Sequence, residues 1–226
     1  MGKAIAIVSG GMDSVTLAYL LKSEGYDLHL LSFDYGQRHK KELQFARQCA
    51  DALQAKYNNI DLSAVTPFLT GSALTDSIDV PEGHYAADNM RSTVVPNRNA
   101  MMLSVAYAVA VAEGAEVVAT GVHSGDHAIY PDCRTEFIDS FHRMQRIATE
   151  GYSNPALRLY APFVNIGKHD IASIGARLGV PFQETWSCYK GQELHCGKCG
   201  TCVERKEAFA LSGISDPTIY SVSEQT

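Results

Sequence analysis

Short apolar runs alternate with amphipathic segments along the first two thirds of the chain. The first run, residues 4–8, is rich in β-branched residues and long enough for a buried strand. By the same reading, strands are predicted at residues 4–8, 27–33, 60–65, 117–121 and 157–161, and helices at residues 15–21, 43–53, 101–113, 136–149 and 168–178. This alternation predicts an α/β fold with a parallel sheet covered on both faces.

The chain has 226 residues, enough for one large α/β domain with a small appendage. We expect an α/β domain over residues 1–180 and a small C-terminal lobe over residues 181–226. A long irregular segment, residues 66–97, contains several glycines and prolines. Such a segment is typical of a lid, a binding element or a disordered stretch, and the sequence leaves these alternatives open.

Residues 9–14, S-G-G-M-D-S, join the first predicted strand to the first predicted helix. A strand, a glycine- and hydroxyl-rich loop and a helix N-terminus together direct successive backbone N–H groups at a phosphate. Asp13 would repel phosphates unless a divalent cation lies between them. Because ligands gather at the carboxyl ends of parallel strands, Phe33 and Gly121 are expected at the same edge of the sheet. The loop therefore predicts a nucleotide accompanied by Mg²⁺.

The sequence supports neither of two common nucleotide-binding loops. The chain has no G-x-x-x-x-G-K-[ST] pattern, and no G-x-G-x-x-G follows the first strand. S-G-G-x-D-S instead resembles the loop of the ATP-pyrophosphatase superfamily. That resemblance implies that the β- and γ-phosphates are held and released as pyrophosphate, which leaves AMP on the substrate.

Charge and hydropathy narrow the choice of partners. A formal net charge of −6 argues against nucleic acid as the main partner. The longest apolar stretch, around residues 101–112, is too short and too interrupted to span a bilayer. The N-terminus enters the first strand at once, with no room for a signal peptide. We therefore expect a cytoplasmic protein with neither nucleic acid nor membrane as a partner.

A second chemical signal lies near the C-terminus, where four of the six cysteines fall within fifteen residues, at Cys188, Cys196, Cys199 and Cys202. In a cytosolic chain, thiolates on a metal are favoured over disulfides. Four cysteines close a tetrahedron around Zn²⁺ and leave no open coordination position, so the predicted zinc site is structural. An iron–sulfur cluster, or His195 as a competing ligand, are the alternatives.

Other polar residues are candidates for binding substrate. Arg98 leads into a wholly apolar predicted helix and needs an anionic partner, which predicts phosphate or substrate binding. Asp126, Asp132 and Arg134 follow the fourth strand and either bind a polar heterocycle or are solvated loop charges. Cys133 in the same loop is either a packing residue or a neighbour of the substrate. Two histidines nearby lack a third ligand at suitable spacing, so metal binding there is disfavoured.

The chain resembles the 7-cyano-7-deazaguanine synthase family in five ordered motifs: S-G-G-M-D-S, F-D-Y-G-Q, P-N-R-N, Y-P-D-C-R and W-S-C-x7-C-x2-C-x2-C. The resemblance covers residues 4 to about 210. It implies an adenine nucleotide alpha hydrolase-like domain in a homodimeric, ATP-dependent ligase of queuosine biosynthesis. The implied reaction converts 7-carboxy-7-deazaguanine, ATP and ammonia to the nitrile through an adenylated carboxylate and an amide.

The resemblance also implies roles for individual residues. Asp13 and Arg98 are expected to be catalytic, with Arg98 neutralising developing charge. Phe33 and Gln37 are expected to border the adenosine. The implied nucleotide site comprises Val8, Ser9, Gly10, Gly11, Met12, Asp13, Ser14, Val15, Phe33, Gln37, Arg98 and Gly121.

Asp126, Asp132 and Arg134 are the candidates for binding the deazaguanine. A rival function is a related ligase that joins the activated carboxylate to another amine and stops at the amide. A tRNA-thiolating relative would need a catalytic cysteine pair and an RNA-binding surface, which the acidic balance and the clustered cysteines disfavour. A zinc-binding module without catalysis would leave the first 120 residues without a purpose.

Overall fold

The computed structural model describes residues 2–84 and 88–221. The strands are β1 (Lys3–Ile7), β2 (Asp27–Asp34), β3 (Lys56–Asp61), β4 (Val117–Ala119) and β5 (Arg158–Tyr160). The helices are α1 (Met12–Ser23), α2 (Lys41–Leu53), α3 (Arg98–Ala112), α4 (Thr135–Ala148), α5 (Lys168–Arg177) and α6 (Gly200–Ser212). In the described ranges, no helix combines the length and the apolar character that crossing a membrane requires.

The strands form one parallel sheet in the order β3-β2-β1-β4-β5. In the centre of the sheet, Ala4 of β1 lies opposite Leu28 of β2 and Val117 of β4. Because all the strands run in the same direction, their carboxyl ends and the loops that follow them meet at one edge. The predicted α/β fold with a parallel sheet is confirmed.

Both faces of the sheet are covered, as predicted. Ala4 and Ala6 of β1 contribute to an apolar cluster with α1, α2, α5 and α6, whereas Ile5 belongs to a second cluster with α3 and α4. This alternation follows from the two-residue period of a strand. Cys49 is buried in the first cluster, which confirms its interpretation as a core residue on α2.

The predicted third strand at residues 60–65 is wrong in position: β3 occupies Lys56–Asp61, and Ser63–Phe68 forms a short 3-10 helix. β3 lies at the edge of the sheet, paired with β2 from His29↔Lys56 to Asp34↔Asp61. Its side chains are largely exposed, so backbone hydrogen bonds rather than an apolar pattern define it. Apolar periodicity therefore could not locate this strand.

Helix α6 was not predicted, and it begins inside the cysteine cluster, with Cys199 as its N-cap. Phe209 of α6 packs in the first apolar cluster, edge to face with Phe182. Arg205 is fully buried and donates hydrogen bonds to the Thr185 hydroxyl and the Phe182 carbonyl. The C-terminal segment thus packs on the α/β core, and the expected division at residue 180 stays a prediction.

Part of the segment at residues 66–97 packs against the rest of the molecule, although residues 85–87 lie outside the described ranges. Met90 is buried in a cluster with Val122 and Tyr130. Earlier in the segment, the Gly83 N–H donates a hydrogen bond to the Lys198 carbonyl at 3.1 Å. The described residues of this segment therefore connect the sheet edge to the cysteine cluster.

Candidate active site

A cleft opens at the carboxyl edge of the sheet, between β1, β2 and β4. It is also bordered by the N-terminal turns of α2, α3 and α5 and by the segment that precedes the cysteine cluster. Gly121 follows β4, and a Cβ atom there would lie 3.3 Å from the backbone of Ser14. This close approach brings the end of β4 against the loop after β1. The strand ends therefore converge where the sequence predicted a ligand.

The loop at residues 9–14 is held by its own hydroxyl groups. The Ser14 hydroxyl accepts from the Ser9 N–H at 3.1 Å and donates to the Gly11 carbonyl at 3.1 Å. Gly10 has a φ of +90°, and a Cβ atom there would lie 2.2 Å from the Glu42 carbonyl oxygen. Only glycine fits this position without displacing α2.

Helix α1 begins within this loop, at Met12, with Gly11 as its N-cap, and no side-chain hydrogen bond caps its first N–H groups. These groups carry the positive end of the helix dipole at the floor of the cleft. Uncapped N–H groups beside Ser9 and Ser14 hydroxyls form the arrangement that binds phosphate oxygens.

Charged side chains lie beside this helix start. Lys168, the first residue of α5, places its Nζ 3.1 Å from Asp13 Oδ2 and 2.7 Å from Glu204 Oε2. His123 Nε2 lies 3.9 Å from Asp13 Oδ2 and 3.6 Å from Asp126 Oδ2. Although burial opposes it, Asp13 and Glu204 raise the pKa of Lys168 above its ordinary value. The ammonium therefore stays charged.

The second carboxylate oxygen of Asp13, Oδ1, is buried and has no hydrogen-bond partner. A buried unpaired carboxylate oxygen is costly unless a ligand satisfies it. A hard divalent cation fits this position, because Mg²⁺ binds through one or two carboxylates together with substrate phosphates.

The cleft is also lined by Arg98 and Glu42. Arg98 Nη1 donates to the Tyr35 hydroxyl at 3.3 Å, and Gln37 Nε2 donates to Glu42 Oε1 at 3.3 Å. Burial raises the pKa of Glu42 to about 7, against the opposing effect of Arg98. The cleft thus presents a cation suited to an anionic group and a carboxyl that titrates near neutral pH.

Several residues of the implied nucleotide site line the cleft: Val8, Ser9, Gly11, Asp13, Ser14, Phe33, Arg98 and Gly121. Met12 and Val15 do not line it, because they point into the apolar core from α1. Gln37 does not line the cleft. Its side chain accepts a hydrogen bond from the Tyr35 N–H and donates one to the Phe33 carbonyl. Its observed contacts support the loop after β2.

The three substrate candidates differ in position. Asp126 lines the cleft, whereas Asp132 and Arg134 do not. The Asp132 carboxylate accepts from the Asn99 N–H at 3.2 Å, at the start of α3, and Arg134 Nε donates to the His127 carbonyl at 2.9 Å. The expected contacts of Asp132 and Arg134 with substrate therefore stay predictions, and their observed contacts are within the protein.

Cys133 is buried, as expected of a packing residue, and it also lines the cleft, while its position beside the substrate stays a prediction. Asn99 Nδ2 lies 3.3 Å from its sulfur. Burial raises the pKa of Cys133, and Asp126 and Asp132 raise it further. The thiol is therefore protonated and unsuited to act as a nucleophile.

Sequence reasoning missed Lys168 and Glu42, which line the cleft, and Glu204, which forms an ion pair with Lys168. Lys168 follows the loop after β5, and its position at the common sheet edge was the one signal that could have identified it. Glu204 lies two residues after the last cysteine of the cluster and Glu42 lies in the first turn of α2. Nothing in the local pattern distinguishes either from a solvated helix residue.

The four cysteine sulfur atoms all lie within 4.8 Å of one another, and all four residues are buried. In the described ranges this is the one group of three or more His, Cys, Asp or Glu side chains close enough to hold a metal ion. The sulfur of Cys196 receives the N–H groups of Lys198 and Cys199 at 3.5 and 3.3 Å. Such N–H···S contacts stabilise thiolates and orient metal ligands.

His195, the competing ligand considered from the sequence, does not belong to this group. Its Nε2 accepts from the Ser187 N–H at 3.1 Å, and its ring packs against that of Trp186 in a tilted arrangement, with the centroids 4.2 Å apart. Burial lowers the pKa of His195 to about 4, so the ring is neutral at physiological pH. Through Ser187 and Trp186, it stabilises the segment that precedes Cys188.

Comparisons with known proteins show the fold and the family of this chain. NMN synthetase from Francisella tularensis superposes with a TM-score of 0.53 at 16% sequence identity, covering 95% of this chain and 78% of that one, which shows a shared fold. The 7-cyano-7-deazaguanine synthase 1 of Mesorhizobium japonicum is 59% identical over 217 residues, which cover 96% of this chain and 93% of the relative. The 7-cyano-7-deazaguanine synthase of Rhizobium meliloti is 59% identical over 218 residues, 96% of this chain and 92% of the relative.

The family described as queuosine biosynthesis protein QueC matches residues 3–213, which include the loop after β1, the residues around the cleft and all four clustered cysteines. With relatives of 59% identity across almost the whole chain in addition, the resemblance found from the motifs is confirmed. The chain belongs to the QueC family of queuosine biosynthesis proteins.

Proposed function

We propose that this chain is an ATP-dependent ligase that converts 7-carboxy-7-deazaguanine and ammonia to 7-cyano-7-deazaguanine. Family membership supports the proposal. The observation in the chain itself that carries it is the uncapped start of α1 beside the orphaned oxygen of Asp13, within one cleft that also holds Arg98. That combination suits a nucleotide, its cation and a second anionic substrate. The rival ligase that stops at the amide gains no support from the relatives.

The chemistry explains why one cleft needs both phosphate and carboxylate binding. A carboxylate is a poor electrophile, and its oxygen is a poor leaving group. Attack of that oxygen on the α-phosphorus of ATP releases pyrophosphate and forms an acyl adenylate. Ammonia then displaces AMP and forms the amide. Activation of the amide oxygen by a second ATP, followed by loss of that oxygen and two N–H protons, gives the nitrile.

The roles of individual residues follow from their positions. Ser9 and Ser14 and the N–H groups at the start of α1 would hold the departing pyrophosphate. Mg²⁺ bound to Asp13 would neutralise charge on the phosphates. Lys168 would complete that neutralisation from α5, and Arg98, which also lines the cleft, would stabilise charge that develops during the reaction.

Recognition of the heterocycle is proposed for Asp126 and Glu42, whose carboxylates face the cleft. The pyrimidinone edge of a deazaguanine offers N–H donors, which carboxylates accept well. Asp132 and Arg134 retain a proposed role in shaping this end of the site, through their contacts with α3 and with the loop after β4.

We propose Zn²⁺ at the four cysteines. Zinc–sulfur bonds of about 2.3 Å place tetrahedral ligands roughly 3.8 Å apart, and the sulfur atoms of Cys196 and Cys202 are 4.0 Å apart. A [4Fe–4S] cluster attaches each cysteine to a different iron and separates the sulfur atoms further, so a single ion fits better. All four positions are taken by protein ligands, and the role is therefore structural.

We also propose that the partners of the chain are small-molecule substrates and a second copy of itself. The net charge of −6 supports small-molecule substrates rather than nucleic acid. A homodimer is proposed from the family resemblance. Sedimentation of the purified protein would measure the assembly, and a monomer at all concentrations would contradict it.

Incubation of the purified protein with 7-carboxy-7-deazaguanine, ATP, Mg²⁺ and ammonia, followed by mass analysis, tests the function. The expected products are the nitrile, AMP and pyrophosphate. Accumulation of the amide as the final product would instead support the rival ligase. If neither substrate is consumed by metal-loaded protein, both functions are excluded.

A further inference from the structure

Lys168 lies between two carboxylates that come from different parts of the chain. Asp13 belongs to the first turn of α1, within the loop at residues 9–14, and Glu204 belongs to α6. The ammonium is 3.1 Å from Asp13 Oδ2 and 2.7 Å from Glu204 Oε2, so Glu204 is the closer partner. The side chains of Lys168 and Glu204 are only 10% and 12% exposed, which makes this a largely desolvated ion pair.

We propose that Glu204 is a positioning residue that draws the Lys168 ammonium away from Asp13 and so keeps Asp13 available to the divalent cation of the nucleotide. The inference rests on the proposed function only in requiring that a nucleotide and its cation bind in this cleft. It assigns Glu204 no contact with the reacting atoms.

The charges explain why a second carboxylate is needed. An ammonium and a divalent cation compete for the same carboxylate, and the competition is strong where the groups are desolvated. With Glu204 as its partner, Lys168 keeps one strong ion pair when the Asp13 carboxylate binds the divalent cation. Without Glu204, Asp13 would be the nearest carboxylate to the ammonium, and a cation would have to displace it.

The position of Glu204 is itself set by the cysteine cluster. Helix α6 starts at the cluster, and its first turn contains Cys202, two residues before Glu204. The same helix packs against α5, which carries Lys168. On the other side, Gly125 leaves room for the carboxylate, because a Cβ atom there would lie 3.0 Å from Glu204 Oε1. Glu204 therefore connects the start of α6, at the cysteine cluster, to Lys168 beside Asp13.

The test uses Glu204→Gln, with Glu207→Gln as the matched control. Glu207 lies on the same helix, and its side chain is 45% exposed, so the control removes the same charge without touching Lys168. Binding of Mn²⁺ is measured by electron paramagnetic resonance in the presence of a non-hydrolysable ATP analogue, with zinc content determined in parallel. We expect Glu204→Gln to weaken Mn²⁺ binding by about tenfold, with zinc content equal to that of the parent and Glu207→Gln unchanged.

A double-mutant cycle with Lys168→Met separates the indirect effect from a direct one. If Glu204 acts through Lys168, Glu204→Gln loses most of its effect on Mn²⁺ binding once the ammonium is gone. Equal weakening in both backgrounds would overturn the proposal, because Glu204 would then act on the cation directly. Unchanged Mn²⁺ affinity in Glu204→Gln, or loss of zinc from it, would overturn it as well. None of these measurements needs the heterocyclic acid or turnover, so they stand apart from the test of the proposed function.

Discussion

At the scale of single residues, two oppositely charged side chains that line the cleft have separate hydrogen-bond partners. Arg98 and Glu42 both face the cavity, yet Arg98 donates to Tyr35 and Glu42 receives Gln37. A guanidinium with few protein partners suits an anion, and a desolvated carboxyl suits N–H donors. The two residues are therefore matched to a ligand that carries both an anionic group and N–H donors, as 7-carboxy-7-deazaguanine does.

The raised pKa of Glu42, about 7, makes a prediction for the pH dependence of the reaction. Only the ionised carboxylate accepts two N–H donors, so kcat/KM for the heterocyclic acid should rise with pH through about 7. Glu42→Gln should remove this rise and lower kcat/KM by about tenfold or more, the usual cost of a lost charged hydrogen bond. The KM for ATP should change little. A pH profile of Glu42→Gln that keeps the same inflection would contradict the assignment.

At the scale of elements, α6 depends on the cysteine cluster at its N-terminus and on apolar packing further along. Cys199 caps the helix and Cys202 lies in its first turn, whereas Phe209 belongs to the main core. Hydrogen bonds from Cys188 and Cys202 lower the pKa of Cys199 well below its ordinary value, whereas hydrogen bonds within the same group raise the pKa of Cys188 and of Cys202. The start of the helix should therefore be lost with the metal, while its end stays packed.

Cys196→Ser is expected to lose the bound metal and to lower the melting temperature, because zinc stabilises such small sites by roughly 10–16 kcal/mol. Metal analysis and thermal unfolding check this. Cys49→Ser is the matched control: Cys49 is buried in the core on α2, so this change should cost about 1–3 kcal/mol and leave the metal in place. Full metal content in Cys196→Ser would show that Cys196 is not a ligand.

At the scale of the whole molecule, Glu113 joins the amino ends of three strands. It follows α3, and its carboxylate lies 3.0 Å from Lys3 Nζ, 3.0 Å from His29 Nδ1 and 2.6 Å from Lys56 Nζ. These residues belong to β1, β2 and β3. Against the opposing effect of burial, hydrogen bonds from Lys56 and Lys3 lower the pKa of Glu113 to about 2.

A lowered carboxyl pKa contributes stability that is present above the unfolded value of 4.5 and is lost as the pH falls through about 2. Glu113→Gln should therefore lower the free energy of unfolding at neutral pH and flatten its decline between these two pH values. Urea unfolding across the acid range measures this. Glu150→Gln, which removes an exposed carboxylate, should leave the decline as it is. If Glu113→Gln lowered the free energy of unfolding equally at every pH, this would contradict the link between the pKa of Glu113 and stability.

The accuracy of the sequence-based predictions depended on how local the signal was. Strand β1 and the loop after it were recognised because an apolar run, two glycines and the start of α1 are contiguous. β3 was misplaced because an exposed edge strand has no apolar pattern of its own. Lys168 and Glu204 were missed because they are 36 residues apart, and their ion pair exists only where α5 packs on α6.

The sequence by itself determined the fold class, the glycine-rich loop after β1, the four clustered cysteines and the family, because each depends on motifs whose residues are close together in the chain. Only the tertiary structure decided which side chains face the cleft. It brought Asp13 and Glu204 into contact with Lys168, and it placed the side chains of Met12 and Val15 in the apolar core. The physical reason is that burial and ion pairing depend on how helices pack on the sheet, and these contacts join residues that no local pattern connects.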